Sequence, residues 1–363
     1  MLLFLAALGS PLGMDQSVQP PPQRILVKEV NWLGDLVMSL PALRAIRRSF
    51  PRARLSVVTK SELASFFDGV EWIDEVIPYS VHHGIRGLGD RRAVVNTIRS
   101  RGFDLAVLFP NSFESALWVW LARIPGRAGY IRDSRGLLLT HKIAPPPQAM
   151  NDHQVHYWLA MVDKTIGVPG DAQDFDLTAA PNRLQEMAAW LAARRGRKDA
   201  PLIAIAPAAA FGPAKEWPTT HFVRLIDELA ERHDAECVLV GAPDERPQCA
   251  AIASSSRRGA LVAAGETSVG QLVALLKLAD GFVGNDSGAM HVAAALGRPT
   301  VGIFGSTNPA RTGPLGPRTR VLWQHLICSP CLARTCRFGH YNCLREITPG
   351  GALDALRALG AIR

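Results

Sequence analysis

From Arg24 onward the chain alternates short apolar runs rich in β-branched residues with amphipathic stretches of about a dozen residues, the two separated by turns carrying Gly or Asn. This is the grammar of repeated strand–helix–strand units. It predicts strands over 25–30, 55–59, 75–78 and 104–109, with helices over 36–48, 91–101 and 112–123. After residue 200 the alternation resumes, with strands over 202–206, 237–241, 281–284 and 300–304 and helices over 221–233, 245–255, 268–278 and 287–296. Between the two series, residues 144–181 give mixed signals and read as an inter-domain connection. Two such series place two parallel sheets side by side, and ligands then bind beyond the carboxyl ends of the strands, in the cleft between domains.

Composition narrows the class. A chain of 363 residues exceeds the usual size of one domain, about 100–150 residues, and 48% hydrophobic with 20% charged residues supports a large core. The net charge of +8 favours anionic partners, but the basic residues occur singly or in pairs such as Arg47 and Arg48, without a run, which disfavours nucleic acid. The apolar start at residues 1–9 lacks a basic residue ahead of it and is too short to span a bilayer, so it is read as a ragged extension over 1–23 rather than a signal. A soluble, cytoplasmic protein is expected.

Four strand-end turns carry candidate chemistry. Asn31-Trp32-Leu33-Gly34-Asp35 follows the first strand and opens the first helix; Gly34 lets backbone come close, and Asp35 would serve either as a general base or as the helix cap. Asn285-Asp286-Ser287-Gly288 repeats that arrangement, offering a helix N-terminus to a phosphate, Asp286 to sugar hydroxyls and His291 one turn further on; a well-capped helix with a half-buried histidine is the plainer alternative. Lys215 lies in the loop FGPAKEWP, and Glu245 follows Gly241-Ala242-Pro243-Asp244, where it would grip a ribose diol or simply favour the helix dipole. The phosphate-loop lysine motif, G-x-S-x-G, H-E-x-x-H and G-x-G-x-x-G are all absent, which disfavours the enzymes they mark. Cys328, Cys331, Cys336 and Cys343, spaced x2, x4 and x6 with His340 among them, would bind zinc or remain reduced thiols. Trp118 and Trp120 read as core or cleft wall rather than base-stackers.

These segments resemble the glycosyltransferase family 9 heptosyltransferases, most closely the heptosyltransferase II type. The likeness runs from about Arg24 to Arg363 and rests on WLGD with SLPALRAIRRSFP after it, FPNSFESAL at 109–117, FGPAKEWP at 211–218 and NDSGAMHVAAALGRPTVGIFG at 285–305. It implies an α/β GT-B fold of two facing Rossmann-like domains: 24–180 for the acceptor, 181–345 for the nucleotide-sugar, and a C-terminal helix within 346–363 crossing back to the first. It also implies inverting transfer from ADP-heptose to the lipopolysaccharide inner core, with Kdo-lipid A or a heptosylated core as acceptor. The cytoplasmic membrane's inner face would be touched in passing. Matched by position, Asp35 is the base, and Lys215, Glu245, Asp286, Ser287, Gly288 and His291 bind donor; Gly34 is expected to contact substrate. No cofactor or metal is required. Asn111, Arg127, Arg132 and Arg135 would face the acceptor. A different nucleotide-sugar or acceptor, or a non-catalytic nucleotide-sugar binder, is the competing expectation.

Overall fold

The structure, a computed structural model, describes residues 20–82, 84, 87–147 and 151–363, so the expected extension 1–23 lies outside it as far as residue 19. The first sheet holds β1 (Arg24–Lys28), β2 (Arg54–Lys60), β3 (Glu75–Tyr79), β4 (Leu105–Leu108), β5 (Gly126–Tyr130) and β6 (His141–Ile143) in the order β3-β2-β1-β4-β5-β6. The second holds β7 (Leu202–Ala206), β8 (Glu236–Leu239), β9 (Leu261–Val262), β10 (Gly281–Asn285), β11 (Thr300–Phe304) and β12 (Thr319–Trp323) in the order β12-β11-β10-β7-β8-β9. All pairings are parallel and the two sheets have the same topology. Each therefore reverses its winding at one point, between β1 and β4 and between β7 and β10, and a crevice opens there beyond the strand ends.

Helices cover both faces. They are α1 (Leu33–Ser49), α2 (Gly87–Ser100), α3 (Phe113–Leu121), α4 (Gln154–Ile166), α5 (Pro181–Ala192), α6 (Thr219–His233), α7 (Arg246–Ser255), α8 (Val269–Leu278), α9 (Gly288–Ala295), α10 (Pro309–Thr312), α11 (Asn342–Arg345) and α12 (Pro349–Ala358). Because both faces of each sheet are covered, the central strands are apolar throughout: Ile25 and Val27 enter one buried cluster while Leu26 enters another. The largest cluster does not stop at the domain boundary, running from Ile25, Val57 and Phe66 to Leu202, Leu276 and Met290. Two contacts carry it across: α1 against α9, and the 3-10 segment Ser61–Gly69 against α8, where Gly270 N donates to Ser65 Oγ at 3.0 Å.

Several elements differ from expectation. The mixed stretch 144–181 contains α4, which packs on α1; its Tyr157, Trp158, Met161 and Val162 are buried at helical spacing. β5 was not anticipated because its sequence, GRAGY, offers little apolar signal. The final helix does not return to the first domain. α12 packs on α6, β10, β11 and β12, with Leu353 and Leu356 in the cluster of Ile203, Leu225 and Val283. An apolar stripe fixes that a helix is buried but not against which sheet. Truncating this fully buried side chain, Leu356→Ala, is expected to cost about 2–4 kcal/mol, read as a lower urea midpoint for the second domain.

Candidate active site

The two reversal points face one another. Gly34, the second residue of α1, lies so close to the start of α9 that a Cβ placed on it would stand 3.0 Å from His291 Cδ2 and 3.6 Å from Gly288 Cα. Reciprocally, a Cβ on Gly288 would meet Leu33 Cβ at 2.8 Å and Gly34 N at 3.1 Å. Two helix N-termini thus abut through paired glycines, and their partial positive ends point into one crevice.

Asp35 stands in this crevice, in the first turn of α1. The cap position is Trp32, whose side chain makes no capping bond, so Asp35 is not consumed as the helix cap. Burial pushes its carboxyl up to about 6, while the positive charge of Lys215 opposes that rise and Asp286 reinforces it. Asp35 from the first domain therefore senses Lys215 and Asp286 from the second.

Lys215 is held rather than solvated. Its Nζ donates to Asp286 Oδ2 at 2.6 Å and lies 5.0 Å from the Phe211 ring centre. The same Oδ2 accepts from Thr307 Oγ1 at 2.7 Å, so Asp286, expected to meet sugar hydroxyls, also anchors the lysine. The loop around Lys215 is pinned by Trp217, whose backbone N donates to Asn285 Oδ1 at 3.0 Å and whose buried indole donates to the Ile347 carbonyl at 2.8 Å. Ser287, the residue before α9, makes no capping bond, and its buried Oγ has no partner. His291 is buried and neutral, since desolvation lowers it to about 4. Glu245 is half-buried, and its Oε2 accepts from Ala242 N at 2.8 Å; desolvation raises its carboxyl.

The thiol-bearing segment backs this loop. Ala214 N donates to the Arg334 carbonyl at 3.0 Å, Leu332 N donates to the Ser306 carbonyl at 2.8 Å, and the Arg334 guanidinium lies 5.2 Å from the Phe211 ring. Cys328, Cys331, Cys336 and Cys343 are free thiols. Among the described residues no group of three or more His, Cys, Asp or Glu is placed to hold a metal.

The expected acceptor-side residues are only partly assembled. Arg135 is fully buried: its guanidinium donates to the carbonyls of Tyr130, at 2.9 Å, and Pro110, and to Ser115 Oγ at 3.3 Å. It braces the turn after β4 and is not a surface contact. Arg127 likewise donates to backbone carbonyls, those of Leu138 at 2.6 Å and Ile124 at 2.5 Å, whereas Arg132 is exposed. Asn111 Nδ2 donates to Tyr157 Oη at 2.9 Å, at the carboxyl end of β4. The expectation of one basic segment facing the acceptor is thus corrected: short reach and unsatisfied carbonyls draw two of the three guanidinium groups inward.

Not foreseen was the pair Lys28 and Glu29 just ahead of the turn that carries Asp35. Both are buried; Lys28 Nζ lies 4.6 Å from the Tyr79 ring centre and Glu29 Oε2 accepts from Ser39 Oγ at 3.0 Å. Desolvation lowers Lys28 to about 7 and raises Glu29 to about 7. A charged dipeptide ending a strand was the available sequence signal. A cavity of about 660 Å³ lies at the opposite, amino end of the second sheet, lined by Arg197, Asp234, Glu236 and Arg257. Those side chains are already ion-paired, Arg197 with Asp234 and Glu236 with Arg195.

The sequence profile described as Glycosyltransferase family 9 (heptosyltransferase) matches residues 91–342. The chain belongs to glycosyltransferase family 9. It is 31% identical to Lipopolysaccharide heptosyltransferase 2 of Salmonella typhimurium over 93% of this chain and 98% of that one. The solved ADP-heptose lps heptosyltransferase II of E. coli superposes with a TM-score of 0.79 at 28% identity, covering 93% of this chain and 98% of that one. A family 9 protein from Veillonella parvula, at 19% identity, shares the fold, with a TM-score of 0.82 over 95% of this chain and 99% of that one. The two facing parallel sheets are those of a GT-B transferase.

Two outcomes follow from the geometry of this family 9 site. An ionised Asp35 opposes folding between pH 4 and 6 and above, because its folded value, about 6, exceeds the ordinary 3.8. Asp35→Asn should raise stability by about 1–3 kcal/mol at pH 8, with the gain gone at pH 4, measured by urea denaturation at both values. Gly288→Val should push α9 off α1 and lower the thermal midpoint, whereas the same change at Gly89, which has open space around it and no left-handed backbone, should cost less.

Proposed function

We propose that this protein transfers L-glycero-D-manno-heptose with inversion from ADP-heptose to the inner core of lipopolysaccharide, and that Asp35 is the base. Kdo-lipid A or a heptosylated core is the acceptor, reached from the cytoplasmic side at the inner membrane face. The observation that carries the reading is the convergence of Asp35, on the first domain, with Lys215 and the start of α9 on the second, across the Gly34–Gly288 contact.

Inversion requires attack from one face of the sugar while the diphosphate departs from the other. An acceptor hydroxyl gives its proton to Asp35 as its oxygen bonds to the anomeric carbon; the bond from that carbon to the diphosphate oxygen breaks, and ADP leaves with the electron pair. The Lys215 ammonium, the N–H groups opening α9 and the unpartnered Ser287 hydroxyl supply positive potential for the leaving diphosphate. Glu245 would meet the nucleotide ribose. With these groups the reaction needs no metal, and His291, neutral and packed on Gly34, shapes the floor of the site.

A base held near 6 makes kcat/KM rise with pH through about 6 and level off above it, in an assay of heptose transfer from pH 4.5 to 8.5. Asp35→Ala should lose at least about 10²-fold in turnover. Calorimetric affinity for ADP-heptose should stay nearly unchanged in that variant; retained turnover would remove the base assignment. Lys215→Ala should instead weaken ADP-heptose binding, and transfer by the native chain should persist in EDTA.

A further inference from the structure

We propose that the outer face formed by α2, α3 and the turn Arg135–Leu138 seats this protein on an anionic lipid bilayer. The inference deepens the reading above and rests on it in one respect, that the acceptor is anchored in lipid.

α3 is apolar on both sides. Ser115, Ala116, Trp118 and Val119 are buried against the first sheet, yet Phe113, Trp120 and Leu121 on its opposite side are exposed, at 45%, 47% and 39%. Apart from Glu114 in its first turn, the outer side of α3 is apolar, which is the surface a partner would cover. The exposure continues on both neighbours. α2 runs beside α3 in the same direction, tied at one end by Arg91 to Glu114 at 2.5 Å and at the other by Arg99 Nη2 to the Leu121 carbonyl at 2.7 Å; it presents Leu88 at 63%. The turn Arg135–Leu138 also packs on α3 and carries Leu137 at 90%.

The charge on this face is mostly positive, with Asp133, Asp90 and Glu114 as its acidic members. Arg92, Arg99, Arg123 and Arg132 are exposed, and among the described residues none has an ion-pair partner; the nearby Glu114 is neutralised by Arg91. Tryptophan, phenylalanine and leucine interspersed with arginine suit the boundary between headgroups and acyl chains better than a second protein. No helix among the described residues is long and apolar enough to cross a membrane. The patch also lies beside the acceptor half of the site, because Ser112, which caps α3, directly follows Asn111 in the turn beyond the carboxyl end of β4.

The test is sedimentation of the full-length protein with vesicles of phosphatidylglycerol and phosphatidylcholine, with no acceptor present. The native chain should bind anionic vesicles, bind pure phosphatidylcholine far less, and release as salt rises. The double variant Trp120→Ser, Leu137→Ser should lose at least about tenfold in vesicle affinity while keeping native calorimetric affinity for ADP-heptose and native transfer to a deacylated, soluble acceptor. Equal vesicle binding by variant and native chains, or no binding by either, overturns the proposal. So does a native dimer in analytical sedimentation that the variant abolishes, since the face would then meet a second copy. Failure of transfer to the soluble acceptor by the native chain would count against the heptosyltransferase reading and leave the vesicle result to stand alone.

Discussion

The contact of Gly34 with Gly288 is the constraint on which the rest of this molecule depends. Each glycine opens a helix at the point where its sheet reverses winding, and each lacks the one carbon that would hold the two helices apart. Bringing two helix N-termini together concentrates positive potential in a small volume, which is unfavourable until something negative occupies it. Asp35 and Asp286 partly answer that potential from within the protein. They answer it unequally, because Asp286 is tied to Lys215 and Thr307 whereas Asp35 is left desolvated.

The same contact explains why the apolar core is continuous. Domains that meet only through a wet cleft keep separate cores, but here α1 and α9, and the segment Ser61–Gly69 with α8, bury their apolar sides against one another. The crevice is consequently walled by well-packed elements, and Lys215 reaches it from a loop fixed at both flanks by Trp217 and by the Arg334 carbonyl. Rigid support of that kind keeps an ammonium in position without substrate present.

Much of this was legible in the chain because buried parallel strands leave a strong mark. LIAIA and TVGIF appear as β7 and β11 over the expected residues, since each must be apolar on both faces. The strand-end turns were legible for a related reason: Gly beside Asp or Ser at a strand-to-helix corner is a local signal. What escaped was decided by distant partners. Nothing local tells that α12 joins the second sheet, that Arg135 turns inward to satisfy the Pro110 carbonyl, or that Trp120 faces outward while Trp118, two residues earlier, is buried. Lys28 and Glu29 escaped because a charged pair ending a strand usually marks solvent, and here the fold closes over it.

The segment carrying the four thiols gains a different meaning from its backbone than from its sulfur. A carbonyl of this excursion, that of Arg334, receives the Ala214 amide and would lie 2.8 Å from a Cβ at Gly212, so its path acts as a gauge for the lysine loop. Lengthening or shortening the excursion by a residue would be transmitted as a misplaced ammonium more than a hundred positions earlier in the chain. The stretch between β12 and α11 is therefore a poor site for grafted tags or loop exchange, even though much of its surface lies open to water.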